Sequence, residues 1–223
     1  MSIDPSHSLA ELVLERPSSA RVLAQLGLDY CCGGRRSLIE ACAEQGLDAE
    51  TVVVFLERQV EPVALERTDW ASAPLADLCA HIVDEHHNRL RWDLPRLTEL
   101  AERAASVHGD ACPELHELRE ELAQLRAELE EHIDDEERRL FPAVVAGEPL
   151  DREELEEFER EHDVTGARLR RLRELAGGYE TGRALCNTHR ALLEGLHGLE
   201  LDVHQHVHEE NNILFPRALA LGA

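Results

Sequence analysis

Apolar residues recur every three to four positions along most of the chain, the period of helices packed on one face. The first ~60 residues divide into short pieces with clear punctuation. SLAELVLERP starts at a capping Ser8 and stops near Pro17. SSARVLAQLGL is a second amphipathic piece, DYCCGG breaks the pattern, and RRSLIEACAEQG starts a third. LDAETVVVFLERQV contains a valine run that has strand character, but its flanks favour a helix. Residues 61–74, EPVALERTDWASAP, hold two prolines and little periodicity, which marks a linker.

Four long helical segments follow. They run from about Leu75 to His108 with Pro95 as an expected kink, from Pro113 to Ala146, from Asp151 to Ala176 and from Thr181 to Leu221. Gly147 with Pro149, and Gly177-Gly178, separate them. The expected fold is all-α: a small N-terminal helical domain over residues 1–60, the linker, and an up-down-up-down four-helix bundle over 75–223.

The bundle contains a repeat. HIDDEERRLFP (132–142) and HVHEENNILFP (206–216) align without gaps, 74 residues apart. Each reads His, three residues, Glu, three residues, Leu-Phe-Pro. The preceding helices carry His87 and His162, 75 residues apart. Two copies of one helix hairpin account for this register better than chance between Leu-rich helices.

Composition narrows the setting. The 223 residues carry 23 basic and 46 acidic side chains, a formal charge of −23, which disfavours nucleic acid and anionic membranes as partners. Hydrophobic residues make up 43%, enough for a core, while aromatics are only 4%, which favours helices over sheets. No secretory signal and no ~20-residue apolar run is visible. Adjacent Cys31 and Cys32 with scattered Cys42, Cys79, Cys112 and Cys186 do not form a disulfide framework. A reducing, cytoplasmic location is expected.

His and Glu four residues apart lie ~40° apart around a helix and one turn along it, so both reach one ion or one pair of ions. His132/Glu136 and His206/Glu210 have that spacing, and His87 and His162 each add an imidazole from the neighbouring helix. Four imidazoles and two carboxylates suit iron, manganese or zinc. Two symmetric glutamates can each bridge two metals, and six ligands leave open positions on both. Burying the six without a metal would be costly. His87 is preferred to its neighbour His86 because it matches His162 in the repeat. His204 and His208 lie ~200° around the helix from His206 and cannot share its face. Glu128, Glu161 and Asp202 stand near ligand positions, where they can orient imidazoles, line an entry path or simply face solvent.

These residues lead to a family. The chain resembles the iron–sulfur cluster repair di-iron proteins, the RIC family, whose bundle is hemerythrin-like. The resemblance covers nearly the whole chain. LGLDYCCGGRRSLIEACAEQGLD resembles the family's small cysteine-containing domain, and DWASAPLADLCAHIVDEHHNRLRWDLPRL its linker and first bundle helix. EREHD at 159–163 and HVHEENNILFPRALA at 206–220 resemble its last two helices. The resemblance implies iron ligands at His87, His132, Glu136, His162, His206 and Glu210, and a cofactor of two non-haem irons with oxo and carboxylate bridges. Glu136 and Glu210 would be the bridging pair. Leu90 stands where the family can carry a second histidine, and His86 where it can carry an aromatic. Oxygen-carrying hemerythrins use five histidines with one Glu and one Asp, whereas this chain supplies four and two.

The function so implied is repair of iron–sulfur clusters damaged by nitrosative or oxidative stress, by iron donation, by nitric oxide handling, or both. A sensor or carrier of O2 or NO and a nitric oxide reductase remain alternatives, and no catalytic residue is assigned. The implied partners are iron–sulfur proteins with damaged clusters and small diatomic ligands; homodimerisation stays open. Cys31 and Cys32 are a further candidate thiol site. They sit in a Gly-flanked loop before a helix start and beside Arg35 and Arg36, where a thiolate is expected to be stabilised. As an exposed pair they would handle iron, nitric oxide or a partner's thiol.

Overall fold

The computed structural model describes residues 3–58 and 68–221. Residues 61–67 of the expected linker, with the last two residues of the expected N-terminal unit, lie outside the described residues. Among the described residues the structure is helical, with a single isolated bridge between Ser8 and Ser37.

The N-terminal unit comprises α1 (Leu9–Glu15), α2 (Ser18–Gln25), α3 (Leu38–Glu44) and α4 (Ala49–Glu57). Ser8 with Glu11 and Ser37 with Glu40 form capping boxes that start α1 and α3. The valine run is helical: Asp48 caps α4 by accepting from the Thr51 N–H at 2.9 Å, and Val52 and Leu56 enter the core. Leu9, Leu12, Leu23, Tyr30, Leu38 and Leu56 fill that core.

The first bundle helix joins α5 (Leu75–His81) to α6 (Asn88–His108) through a π turn at Ile82–His87. The second joins α7 (Glu114–Asp135) to α8 (Phe141–Ala146) through a π turn at Glu136–Leu140. The third is α9 (Arg152–Leu175), capped by Asp151. The fourth joins α10 (Asn187–Glu209) to α11 (Phe215–Leu221) through a π turn at Glu210–Leu214. Helix α6 packs on α7 and α10, α7 on α9, and α9 on α10, which closes an up-down-up-down bundle.

One expectation needs correction. The fourth helix begins at Asn187, not Thr181: residues Thr181–Arg183 form a 3₁₀ turn, and the Cys186 thiol caps α10 by accepting from the His189 N–H. Pro95 lies inside the continuous helix α6, and the π turn at Ile82–His87 precedes it.

The four helices bury two apolar clusters. Leu90, Leu94, Leu129, Ile133, Leu169 and Val203 belong to the longer one. Ile82, Leu140, Phe141, Phe158, Leu214 and Phe215 belong to the shorter one. The polar layer lies between them, since on every helix a candidate ligand separates residues of one cluster from residues of the other. Arg217 pins the start of the bundle by donating to the Trp70 and Ala73 carbonyls.

Candidate metal centre

The π turns sit at candidate ligands. His87 ends the first, and Glu136 and Glu210 begin the other two. Each is closed by a bond reaching five residues back, from Asn88 N–H to Val83, Phe141 N–H to Glu136 and Phe215 N–H to Glu210. The Leu-Phe-Pro repeat supplies a local reason. Pro142 and Pro216 have no N–H to close an α turn, and a proline ring crowds the carbonyl four residues back. Widening the preceding turn relieves that crowding and re-aims the glutamate, as single π turns at functional sites do. The repeat's phenylalanines then stack on histidines of the preceding helices, Phe141 on His87 at 5.5 Å and Phe215 on His162 at 5.9 Å.

All six expected residues converge. Their exposure is 0% for His87, Glu136 and Glu210, 1% for His206, 2% for His162 and 7% for His132. Glu136 sends Oε2 toward His87 Nε2 and Oε1 toward His132 Nε2, each at 3.3 Å. Glu210 sends Oε1 toward His206 Nε2 at 3.0 Å and Oε2 toward His162 Nε2 at 3.2 Å. The imidazoles pair across the hairpins: His87 with His206 at 3.2 Å and His132 with His162 at 2.9 Å. The result is two donor groups, His87/Glu136/His206/Glu210 and His132/Glu136/His162/Glu210. Both glutamates belong to both groups.

The outer nitrogens decide what these groups can hold. His132 Nδ1 meets Glu161 Oε2 at 2.6 Å, and His162 Nδ1 meets Asn211 Oδ1 at 2.8 Å. His87 Nδ1 meets Glu137 Oε1 at 2.8 Å, and Arg91 holds that carboxylate at 2.7 Å. An Nδ1–H given to such an acceptor leaves a neutral ring with its Nε2 lone pair turned inward. Lone pairs and carboxylate oxygens then face one another, and both oxygens of Glu136 and Oε2 of Glu210 lack a hydrogen-bond donor among the described residues. Burying an ionised carboxylate costs several kcal/mol unless it is neutralised. A pair of cations meets that need, so the residues fit a dinuclear metal site.

Without a cation, the carboxylates and imidazoles of the layer act on one another's protons. Burial pushes the Glu210 carboxyl up, but facing His206 and His162 outweigh it and hold it well below the usual carboxylate range. Burial also opposes charge on His132, yet Glu136, Glu161 and Glu210 hold it well above the usual imidazole value. At His206 burial wins, and its pKa is lowered.

Other expected residues fall as follows. Glu161 orients His132, while Glu128 ion-pairs with Arg168; both line a cavity of about 310 Å³ beside His132. His204 and His208 turn away from the metal layer toward the Tyr30 ring. His86 is buried and stacks on the His206 ring, but its nitrogens meet Asp202 and Glu209 and not the inner face of the layer. Glu137 and Asn211 are functional candidates not picked out from the sequence. A signal existed: they lie 74 residues apart, so the repeat that relates the glutamates also relates them.

The cysteine loop departs from expectation. Cys31 is 4% exposed and packs against the bundle core, and Cys32 is half-buried. Arg35 faces Glu159 at 3.5 Å, Arg36 faces Glu44, and the α3 N-terminus is occupied by its own capping box. None of these supports a thiolate on Cys31. The Cys32 thiol, burial and Asp29 together hold the Cys31 thiol well above its ordinary value. The two sulfurs are 3.9 Å apart, and they gather with Asp29 above a 50 Å³ cavity. Asn212 joins the loop to the bundle by donating to the Cys31 carbonyl at 3.0 Å.

A bundle with this inward His/Glu layer is a hemerythrin-type cation-binding domain. The family model for the hemerythrin HHE cation binding domain matches residues 80–218, and that for ScdA_N, a domain of unknown function (DUF542), matches 5–59. The chain is 37% identical over 216 residues to the iron-sulfur cluster repair protein YtfE of Pectobacterium carotovorum subsp. carotovorum (strain PC1), covering 95% of this chain and 96% of that one. It is 36% identical over 218 residues to YtfE of Yersinia pseudotuberculosis serotype O:1b (strain IP 31758), covering 96% and 97%. The chain belongs to the family of iron–sulfur cluster repair proteins. Among the described residues no helix is long and apolar enough to cross a membrane.

Proposed function

We propose that this protein repairs damaged iron–sulfur clusters, as its relatives are named for doing, through a non-haem di-iron centre. The observation that carries the reading is the placement of Glu136 and Glu210, each with one oxygen toward each histidine pair. His87 and His206 would hold one iron and His132 and His162 the other, with Glu136 and Glu210 shared between the two. When bound, the irons supply redox change and positions for a small ligand such as nitric oxide.

The protein's own groups do the rest. Glu137, Glu161 and Asn211 orient imidazoles. The Phe141, Phe158 and Phe215 rings exclude water from one side of the layer. The cavity by His132 gives a small ligand or a departing ion a route past Glu161. Residues 1–60 form the accessory unit, 61–74 the linker and 75–223 the metal-binding unit. The targets are iron–sulfur proteins with damaged clusters, and Cys32 is the thiol of the loop that has partial access to them.

Elemental analysis of anaerobically purified protein tests the centre, with about two irons per chain expected. A damaged cluster enzyme incubated with loaded and with demetallated protein tests the function. Equal recovery in both samples overturns it.

A further inference from the structure

Two ligands are each preceded by a residue the dinuclear layer does not use: His86 stands before His87, and Glu209 before Glu210. Consecutive helical residues point ~100° apart. His86 and Glu209 therefore leave the layer on the same side and meet again behind the His206 ring, on which His86 stacks at 5.4 Å and 10°. His81 joins them from the turn before. His81 Nε2 lies 3.3 Å and His86 Nε2 3.5 Å from Glu209 Oε2. One ligand atom from each of the three comes within 4.8 Å of the others.

The three side chains are held for a ligand. His86 and Glu209 are 5% and 4% exposed, and His86 Nε2 and Glu209 Oε2 have no hydrogen-bond partner among the described residues. Their other atoms are occupied. His86 Nδ1 meets Asp202 Oδ1 at 3.2 Å, which turns the Nε2 lone pair toward Glu209 in the neutral ring. Gln205 donates to Glu209 Oε1 at 2.9 Å, and the Trp70 ring stacks on His81 at 4.3 Å. The group opens on a cavity of about 850 Å³ between α1, the Thr68–Ala71 segment and the bundle.

We infer that His81, His86 and Glu209 form a third, mononuclear site for a divalent transition-metal ion, distinct from the dinuclear layer. Two imidazoles and one carboxylate are a donor set for Fe²⁺, Zn²⁺ or Co²⁺, and three protein ligands leave positions open toward the cavity. The carboxylate behind His86 is the support that metal-binding imidazoles carry. Among the described residues this cluster occurs once in the bundle. The repeat relates His86 to Glu161 and Glu209 to Asp135, so the other hairpin has carboxylates only at those positions. Access through the cavity makes this ion exchange with solvent faster than the enclosed pair.

The test uses full-length protein with its dinuclear layer loaded and excess metal removed. Zinc is titrated against a chromophoric chelator, with iron and zinc counted by elemental analysis. One further zinc per chain is expected. His81→Ala and Glu209→Gln each weaken it by about tenfold or more while two layer ions remain. Zinc-edge anomalous scattering from crystals locates the ion independently of any variant. No third ion in the wild type, or an ion elsewhere, shows that His86 is an imidazolium held by Glu209 and Asp202 without metal, and overturns the inference. The layer's count is read in the same samples. Failure of the layer to hold iron is therefore distinguishable from failure of this site.

Discussion

The buried His/Glu layer and the cysteine loop both look reactive in the sequence, yet the fold treats them oppositely. The layer gathers carboxylate oxygens that lack hydrogen-bond donors among the described residues, which a cation would neutralise. The loop gathers donors with their partners. Asp29 accepts from the Cys31 thiol at 3.2 Å and from the Cys31 and Cys32 N–H groups at 3.2 and 3.0 Å, and acidic neighbours occupy both arginines. Burial therefore creates a metal requirement in one place and quiets a thiol in the other. What separates them is whether the polar atoms brought inside find protein partners.

The strongest way to break this comparison is to remove the atoms that need the cation. Glu210→Gln takes one bridging carboxylate from both histidine pairs, and metal content is expected to fall from about two ions to below one per chain. An unchanged metal count would contradict the shared-glutamate geometry. Loss of an outer support should be milder. Glu137→Ala and Asn211→Ala free the Nδ1 of His87 and His162, and metal affinity, measured by chelator competition, is expected to drop 10–100-fold.

Gly34→Ala tests the junction between the two regions. An added Cβ would lie 2.4 Å from the Tyr30 carbonyl oxygen and 2.9 Å from Asn212 Oδ1. The change should destabilise the docked loop by about 1–3 kcal/mol while the layer keeps its metals. Limited proteolysis and elemental analysis on one sample check both halves. The smallest effect concerns the thiols. In the folded protein at pH 8, iodoacetamide is expected to leave Cys31 unlabelled, because the thiolate it needs is suppressed and buried. Unfolding should expose it, and peptide mass mapping distinguishes the two states.

The segment Glu209-Glu210-Asn211-Asn212 shows why part of the molecule was readable and part was not. Glu210 was legible because it repeats Glu136 at helical spacing from a histidine. Asn211 is marked only as the repeat's counterpart of Glu137, and Glu209 and Asn212 have no such mark, yet each has its own partner: His86 for Glu209, His162 for Asn211 and the Cys31 carbonyl for Asn212. Those partners are 49 to 181 residues distant for Asn211 and Asn212, and no local period records a contact across that separation. The start of the fourth helix was misplaced for a related reason. The segment from Thr181 to Cys186 contains Gly182, which disfavours a helix interior, and a thiol cap at Cys186 begins the helix later.

Periodicity and repetition were sufficient for the all-α bundle, its four long helices and the six side chains that converge, since helical spacing alone places His and Glu on one face. Tertiary structure alone decided that the histidines pair across hairpins, that the π turns aim the glutamates, and that Cys31 is buried. Each of these depends on which faces of separate helices meet. A linear pattern specifies a face, and only packing specifies what that face is pressed against.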